Sequence, residues 1–195
     1  MKAKIFIGSS VESRKIAFAI QENLDYDANC TVWTQGVFDL SQTALTSLLN
    51  QVHTNDFAVF VFGQDDMTKM RNQEKSTVRD NVIFETGLFI GGIGNERVFF
   101  VSPSDNSDLH LPTDLLGITP GRFDSTRDDH TAALGSFCNQ IRKQIELLGP
   151  IKKTTEKEEW VDTKATMKVS NYTDEHKEFD RNVCLKIKEF AQPIF

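Results

Sequence analysis

Apolar positions in the first 149 residues follow two alternating rhythms. Short runs rich in β-branched and aromatic residues read as strands: Ala3–Gly8 (AKIFIG), Cys30–Trp33 (CTVW), Asp56–Gly63 (DFAVFVFG), Arg97–Ser102 (RVFFVS) and, more weakly, Thr119–Phe123. Asp56–Gly63 is apolar on both faces, as a central parallel strand should be. Between these runs the spacing becomes helical. Val11–Leu24 carries Ile16, Ala19, Ile20 and Leu24; Thr43–Val52 carries Leu45, Leu48, Leu49 and Val52 on one face. Thr131–Leu148 repeats apolar residues at Leu134, Phe137, Ile141, Ile145 and Leu148, and Gly149-Pro150 stops it. A further helix, capped by Thr77 or Asp80, contains the segment RDNVIFETGLFIGG, residues 79–92.

Strands and helices alternating at this spacing predict βαβ units and an α/β domain: a flavodoxin-like, doubly wound, five-stranded parallel sheet flanked by helices on both faces. Ligands in such sheets bind at the carboxyl ends of the strands, near the switch in strand order. Three places qualify: Gly8-Ser9-Ser10, the Trp33–Phe38 loop, and the Gly63–Thr77 loop before the RDNVIFETGLFIGG helix. The expected division is a domain over 1–149 and, over 150–195, a charged linker (KKTTEKEEW) with an amphipathic stretch at Asp180–Phe190.

Charge narrows the function. Residues 1–149 hold 13 basic and 19 acidic residues, a net of −6, while residues 150–195 hold nine of each. An acidic domain is a poor general binder of nucleic acid. Cys30, Cys138 and Cys184 are far apart and lack CxxC spacing, so neither a disulfide framework nor a zinc site is expected, and a reducing cytoplasm fits. The opening MKAKIFIGSS has too short an apolar run for a signal peptide. No stretch reaches the ~18–20 apolar residues of a membrane helix, so a soluble chain is expected.

Four features bear on chemistry. IFIGSS is a strand, a glycine and two hydroxyls before a helix; it suits phosphate or ribose, or is an ordinary turn in which Ser9 or Ser10 caps the helix. It matches neither the dinucleotide fingerprint nor the P-loop. In VWTQGVF, Trp33 and Phe38 flank a polar loop and suit stacking on a base, or Trp33 simply packs in the core. Asp65-Asp66 lacks the second acidic cluster a phospho-acceptor site needs and reads as a solvated loop, and the four histidines show no metal spacing. Glu85 is the sharpest anomaly: a carboxylate amid Val82, Ile83, Phe84, Leu88, Phe89 and Ile90. A lone buried carboxylate is costly. Asn81 shares its face, with Arg79 and Asp80 at the helix start, so Glu85 either pairs structurally with Arg79 or another cation, or serves a cleft.

The set IFIGSS, VWTQGVF, DFAVFVFGQDD, RDNVIFETGLFIGGIG, RVFFV and LPTDLLGIT resembles the bacterial TIR (Toll/interleukin-1 receptor) domains of cyclic-nucleotide-activated anti-phage effectors, over about residues 3–148. The resemblance implies an NAD+ glycohydrolase with Glu85 as the catalytic glutamate. NAD+ is then the substrate, with no separate cofactor and no metal. Substrate contacts would come from Ser9, Ser10, Trp33 and Phe38, with Arg79 and Asn81 on the polar side of the glutamate helix. Many eukaryotic TIR enzymes carry an aromatic four residues before the glutamate; here that position is Asn81, so stacking on nicotinamide falls to Trp33 or Phe38. The glycines at 87, 91 and 92 would let this helix pack close to the sheet. Implied partners are further TIR copies and a cyclic-nucleotide sensor, with no nucleic acid and no membrane. Two other readings stay open: a nucleoside deoxyribosyltransferase-like enzyme, and a non-catalytic TIR scaffold.

Overall fold

A computed structural model of the chain describes residues 2–37, 43–63, 66–70, 73–105, 115 and 118–152, with the backbone alone for 66–70 and 73–76. Residues up to Lys152 form one compact unit. The strands are β1 (Ala3–Gly8), β2 (Ala28–Val32), β3 (Phe57–Val61), β4 (Asp66–Met70), β5 (Gln73–Thr77), β6 (Val98–Pro103) and β7 (Gly121–Phe123). The helices are α1 (Arg14–Leu24), α2 (Ala44–Thr54), α3 (Asp80–Ile93) and α4 (His130–Leu148).

Five strands form one parallel sheet in the order β2-β1-β3-β6-β7. The chain steps outward from β1 to β2, then returns past β1 to β3. The order therefore reverses between β1 and β3, which is the doubly wound arrangement expected from the pattern. Side-chain alternation divides the core in two. Ile5, Ile7, Phe57, Val59 and Val61 pack with Ala17, Ile20 and Leu24 of α1 and with Leu134, Phe137, Cys138 and Ile141 of α4. Phe6, Ala58, Phe60 and Phe62 pack on the other face with Leu48 and Val52 of α2 and with Val82 and Phe89 of α3. Every residue of β3 is buried, because helices cover both of its faces.

The structure revises several expectations. Gly63–Thr77 is not simply a loop: β4 and β5 pair antiparallel, from Asp66 opposite Thr77 to Met70 opposite Gln73. Asp66 therefore opens a ladder, whereas Asp65 lies outside the described residues. The cap of α3 is Arg79; Thr77 ends β5, and the Asp80 carboxylate accepts the Asn81 N–H at 2.7 Å. Thr43 precedes α2 as its cap, accepting the Thr46 N–H at 3.1 Å. The expected close approach of the α3 glycines to the sheet is wrong. A Cβ on Gly87 or Gly91 would meet nothing, and one on Gly92 would strike Val52 of α2 at 2.2 Å. Gly92 thus permits helix–helix contact, not helix–sheet contact. The amphipathic stretch at Asp180–Phe190, and Cys184 within it, lie outside the described residues.

Two charged residues pin the end of the sheet opposite the strand carboxyl ends. Asp56 is 6% exposed and accepts the Lys4 N–H at 2.8 Å and the Ile151 N–H at 2.9 Å. Arg97 lies 4.9 Å over the Phe57 ring and donates to the Gly149 carbonyl at 2.9 Å and the Leu148 carbonyl at 3.3 Å, closing the carboxyl end of α4. Asp56→Ala orphans two backbone N–H groups, and a loss of about 2–4 kcal/mol is expected in urea unfolding. A loss below about 0.5 kcal/mol would show that water replaces the carboxylate.

Candidate functional site

The carboxyl ends of β1 and β2 and the first two turns of α2 and α3 enclose a cleft of about 410 Å³. It lies at the reversal in strand order, where such sheets bind ligands. Ser9, Ser10, Trp33, Arg79, Asn81 and Glu85 all line it. Residues from three separate segments, the loops after β1 and β2 and the start of α3, therefore meet at one place. Phe38 lies outside the described residues.

The loop after β1 is held from within. The Ser9 hydroxyl donates to the Ser10 carbonyl at 2.9 Å and accepts from the Trp33 indole N–H at 3.0 Å. The Ser10 hydroxyl accepts the Ser13 N–H at 3.1 Å, just before α1. Both serines thus organise the turn and also face the cleft. Trp33 packs on the two core clusters and also lines the cleft. The indole–hydroxyl bond fixes the Trp33 ring against the β1 loop.

Glu85 sits on the second turn of α3. Val82, Thr86 and Phe89 of the same helix are buried, while Asn81 and Phe84 are exposed. Glu85 stands between these two sides. Burial pushes its carboxyl up from 4.5 to about 7. Arg79, the cation considered as its structural partner, instead meets Glu12, Nη1 to Oε2 at 3.2 Å. The structural-pair explanation of Glu85 by Arg79 therefore lacks support, and the carboxylate remains as a half-buried acid lining a cleft.

Sequence pattern missed the apolar part of this site. Val11, Ala44, Leu45, Leu48, Val82 and Phe84 complete the lining. Leu45 and Phe84 are 48% and 57% exposed, so the mouth is apolar. The spacing puts Leu45 on one face with Leu48, Leu49 and Val52; α2 begins at the cleft, and Leu45 in its first turn is exposed there. Among the described residues, no group of three or more His, Cys, Asp or Glu is placed to hold a metal ion. No helix among the described residues is long and apolar enough to cross a membrane.

The family model of the CAP12/Pycsar effector protein TIR domain matches residues 4–125. The chain is 44% identical over 149 residues to the Pycsar effector protein PaPycTIR of Pseudomonas aeruginosa, covering 75% of this chain and 48% of that protein. It is 42% identical over 147 residues to the CD-NTase-associated protein 12 of Flavobacterium daejeonense, covering 75% of this chain and 46% of that protein. The chain thus spans about half the length of these relatives. Among solved structures, a flavodoxin-like domain from Synechococcus sp. aligns with a TM-score of 0.42 at 13% identity, covering 73% of this chain and 96% of that one. The matched segment runs from Lys4 in β1 to just past β7 and contains every residue described around the cleft, and the chain belongs to the CAP12/Pycsar effector TIR-domain family.

Proposed function

We propose that the domain cleaves NAD+ at the nicotinamide N-glycosidic bond, releasing nicotinamide and ADP-ribose or its cyclic form, as the toxic output of an anti-phage effector. The observation that carries this reading is Glu85, the single carboxylate lining the cleft among the described residues, half-buried and raised to about 7 by burial. Hydrolysis at an ordinary glycosidic oxygen needs two carboxyl groups, one to protonate the leaving group. The nicotinamide of NAD+ is already cationic and departs as a neutral base, so one carboxylate suffices. Glu85 would hold the ribose hydroxyls and offset the positive charge that grows on the ribose as the bond breaks. Trp33 and the apolar mouth offer surface for the base. The relatives are named a Pycsar effector protein and a CD-NTase-associated protein, which supports a cyclic-nucleotide signal as the trigger, and their additional length leaves room for a sensor. We take activity to depend on assembly of TIR domains under such a signal.

The test is incubation of concentrated protein with NAD+, and separately with deoxynucleosides, with Glu85→Gln as the control. Nicotinamide released by the parent and not by the variant is expected. Turnover of deoxynucleosides alone would instead mark a deoxyribosyltransferase. Absence of turnover in every assembled state would leave only a scaffold.

A further inference from the structure

Arg79 stands at the junction of two demands. It caps α3, lines the cleft, and is 40% exposed. Its Nη1 lies 3.2 Å and 3.4 Å from the two carboxylate oxygens of Glu12, a residue 67 positions earlier in the loop after β1. The pair thus ties the rim loop Ser9–Glu12 to the start of the helix that carries Glu85. Glu12 is itself 56% exposed and is not part of the cleft lining. It is oriented by its own backbone N–H, by Arg79 and by the Ser10 hydroxyl, which together keep its carboxyl below the usual range. A guanidinium N–H donates to a carboxylate oxygen or a phosphate oxygen alike, and here Nη1 alone meets both Glu12 oxygens. An exposed ion pair of this kind is weak and exchangeable.

Resting on the NAD+ reading above, we propose that Glu12 is a built-in competitor for the cation that receives the substrate's diphosphate. In the free protein Arg79 is turned to Glu12 at the rim. An anion entering the cleft draws the guanidinium inward and releases the β1 loop from α3. Glu12 then lowers affinity for every diphosphate-bearing ligand, product included, and acts on binding without touching the reacting carbon.

The experiment is a 31P NMR titration of the full chain with inorganic pyrophosphate at low ionic strength, for the parent, Glu12→Gln, Arg79→Gln and the double variant. Folding of each is checked by thermal melting. Removing the competitor should tighten pyrophosphate about two- to fivefold, the range an exposed ion pair supports. Arg79→Gln should weaken binding, and in that background Glu12→Gln should change nothing further. Tightening that persists without Arg79 would reveal only the long-range field of a removed negative charge and would overturn the proposal. So would unchanged affinity in Glu12→Gln, or no pyrophosphate binding by any of the four. Nicotinamide release is read on the same samples. Turnover of NAD+ with no Glu12 effect overturns the competition and keeps the reaction; an Arg79-dependent Glu12 effect without turnover does the reverse.

Discussion

Glu85→Gln is expected to lower nicotinamide release by about a thousandfold and, in the same protein, to raise stability at alkaline pH. The first effect follows from charge. Two unit charges 4 Å apart at an effective dielectric of about 20 interact by about 4 kcal/mol, and each 1.36 kcal/mol is a factor of about ten in rate. Glutamine keeps the shape and the hydrogen-bonding oxygen but cannot offset a cationic ribose. The second effect follows from linkage. Burial raises the Glu85 carboxyl from 4.5 to about 7, so between these values the unfolded chain has lost a proton that the folded chain still holds. The parent therefore loses stability as pH rises from about 4.5 to 7, and stays at that lower level above it. Glutamine removes this dependence. Its advantage should reach about 1–3 kcal/mol at pH 8, reduced from the full linkage value because the cleft admits water, and should vanish near pH 4.5. Melting curves of the two proteins across this range measure it. A glutamine variant no more stable than the parent at pH 8 would mean that Glu85 is not strained by burial. Unchanged nicotinamide release would remove it from the chemistry.

These opposing effects belong to one residue because partial burial strengthens electrostatics at Glu85 and also penalises its free carboxylate. That conflict is what made Glu85 visible in the sequence. A charged residue inside an apolar helix breaks a local rule, and such breaks collect at functional sites. The sheet was legible for the complementary reason. DFAVFVFG has no polar face because both of its faces are covered, and the structure buries every residue of β3. Other features left no such trace. The strands Asp66–Met70 and Gln73–Thr77 are polar and carry no Asn-Gly or Asp-Gly turn, so the stretch read as a loop. The exposed apolar mouth at Leu45 and Phe84 shares its spacing with true core positions, and only the direction of α2 and α3 separates the two. The Glu12–Arg79 pair joins residues 67 apart, and no periodicity within one element can announce it. Arg79 was legible as a polar residue near Glu85; its actual partner was not.

The second large effect concerns what holds α3 in place. Phe89 lies one turn beyond Glu85 and is fully buried. Its ring stacks on Phe6 at 4.8 Å with an interplanar angle of 15°, and meets the Phe60 ring edge-on at 5.6 Å and 69°. Phe6 and Phe60 belong to β1 and β3, the two strands that flank the reversal in order. Gly8 is part of the same fit, since a Cβ there would come within 2.5 Å of the Phe60 ring. The three rings thus set the distance between the helix bearing Glu85 and the strand that leads into Ser9 and Ser10. Phe89→Ala removes the central ring and leaves a cavity that two rigid aromatics cannot fill, so about 3–5 kcal/mol of stability should be lost. That is a large part of the roughly 5–15 kcal/mol available to a domain of this size. The melting temperature should fall by about 8–15 °C. Phe89→Leu retains most of the volume and should cost only about 1–2 kcal/mol. At a temperature where both variants remain folded, nicotinamide release should fall further for alanine than for leucine, because α3 loses its seat while Glu85 itself is unchanged. A loss below about 1 kcal/mol for alanine would show that α3 is held chiefly by its contact with α2 through Gly92 and Val52, and not by the ring cluster on the sheet.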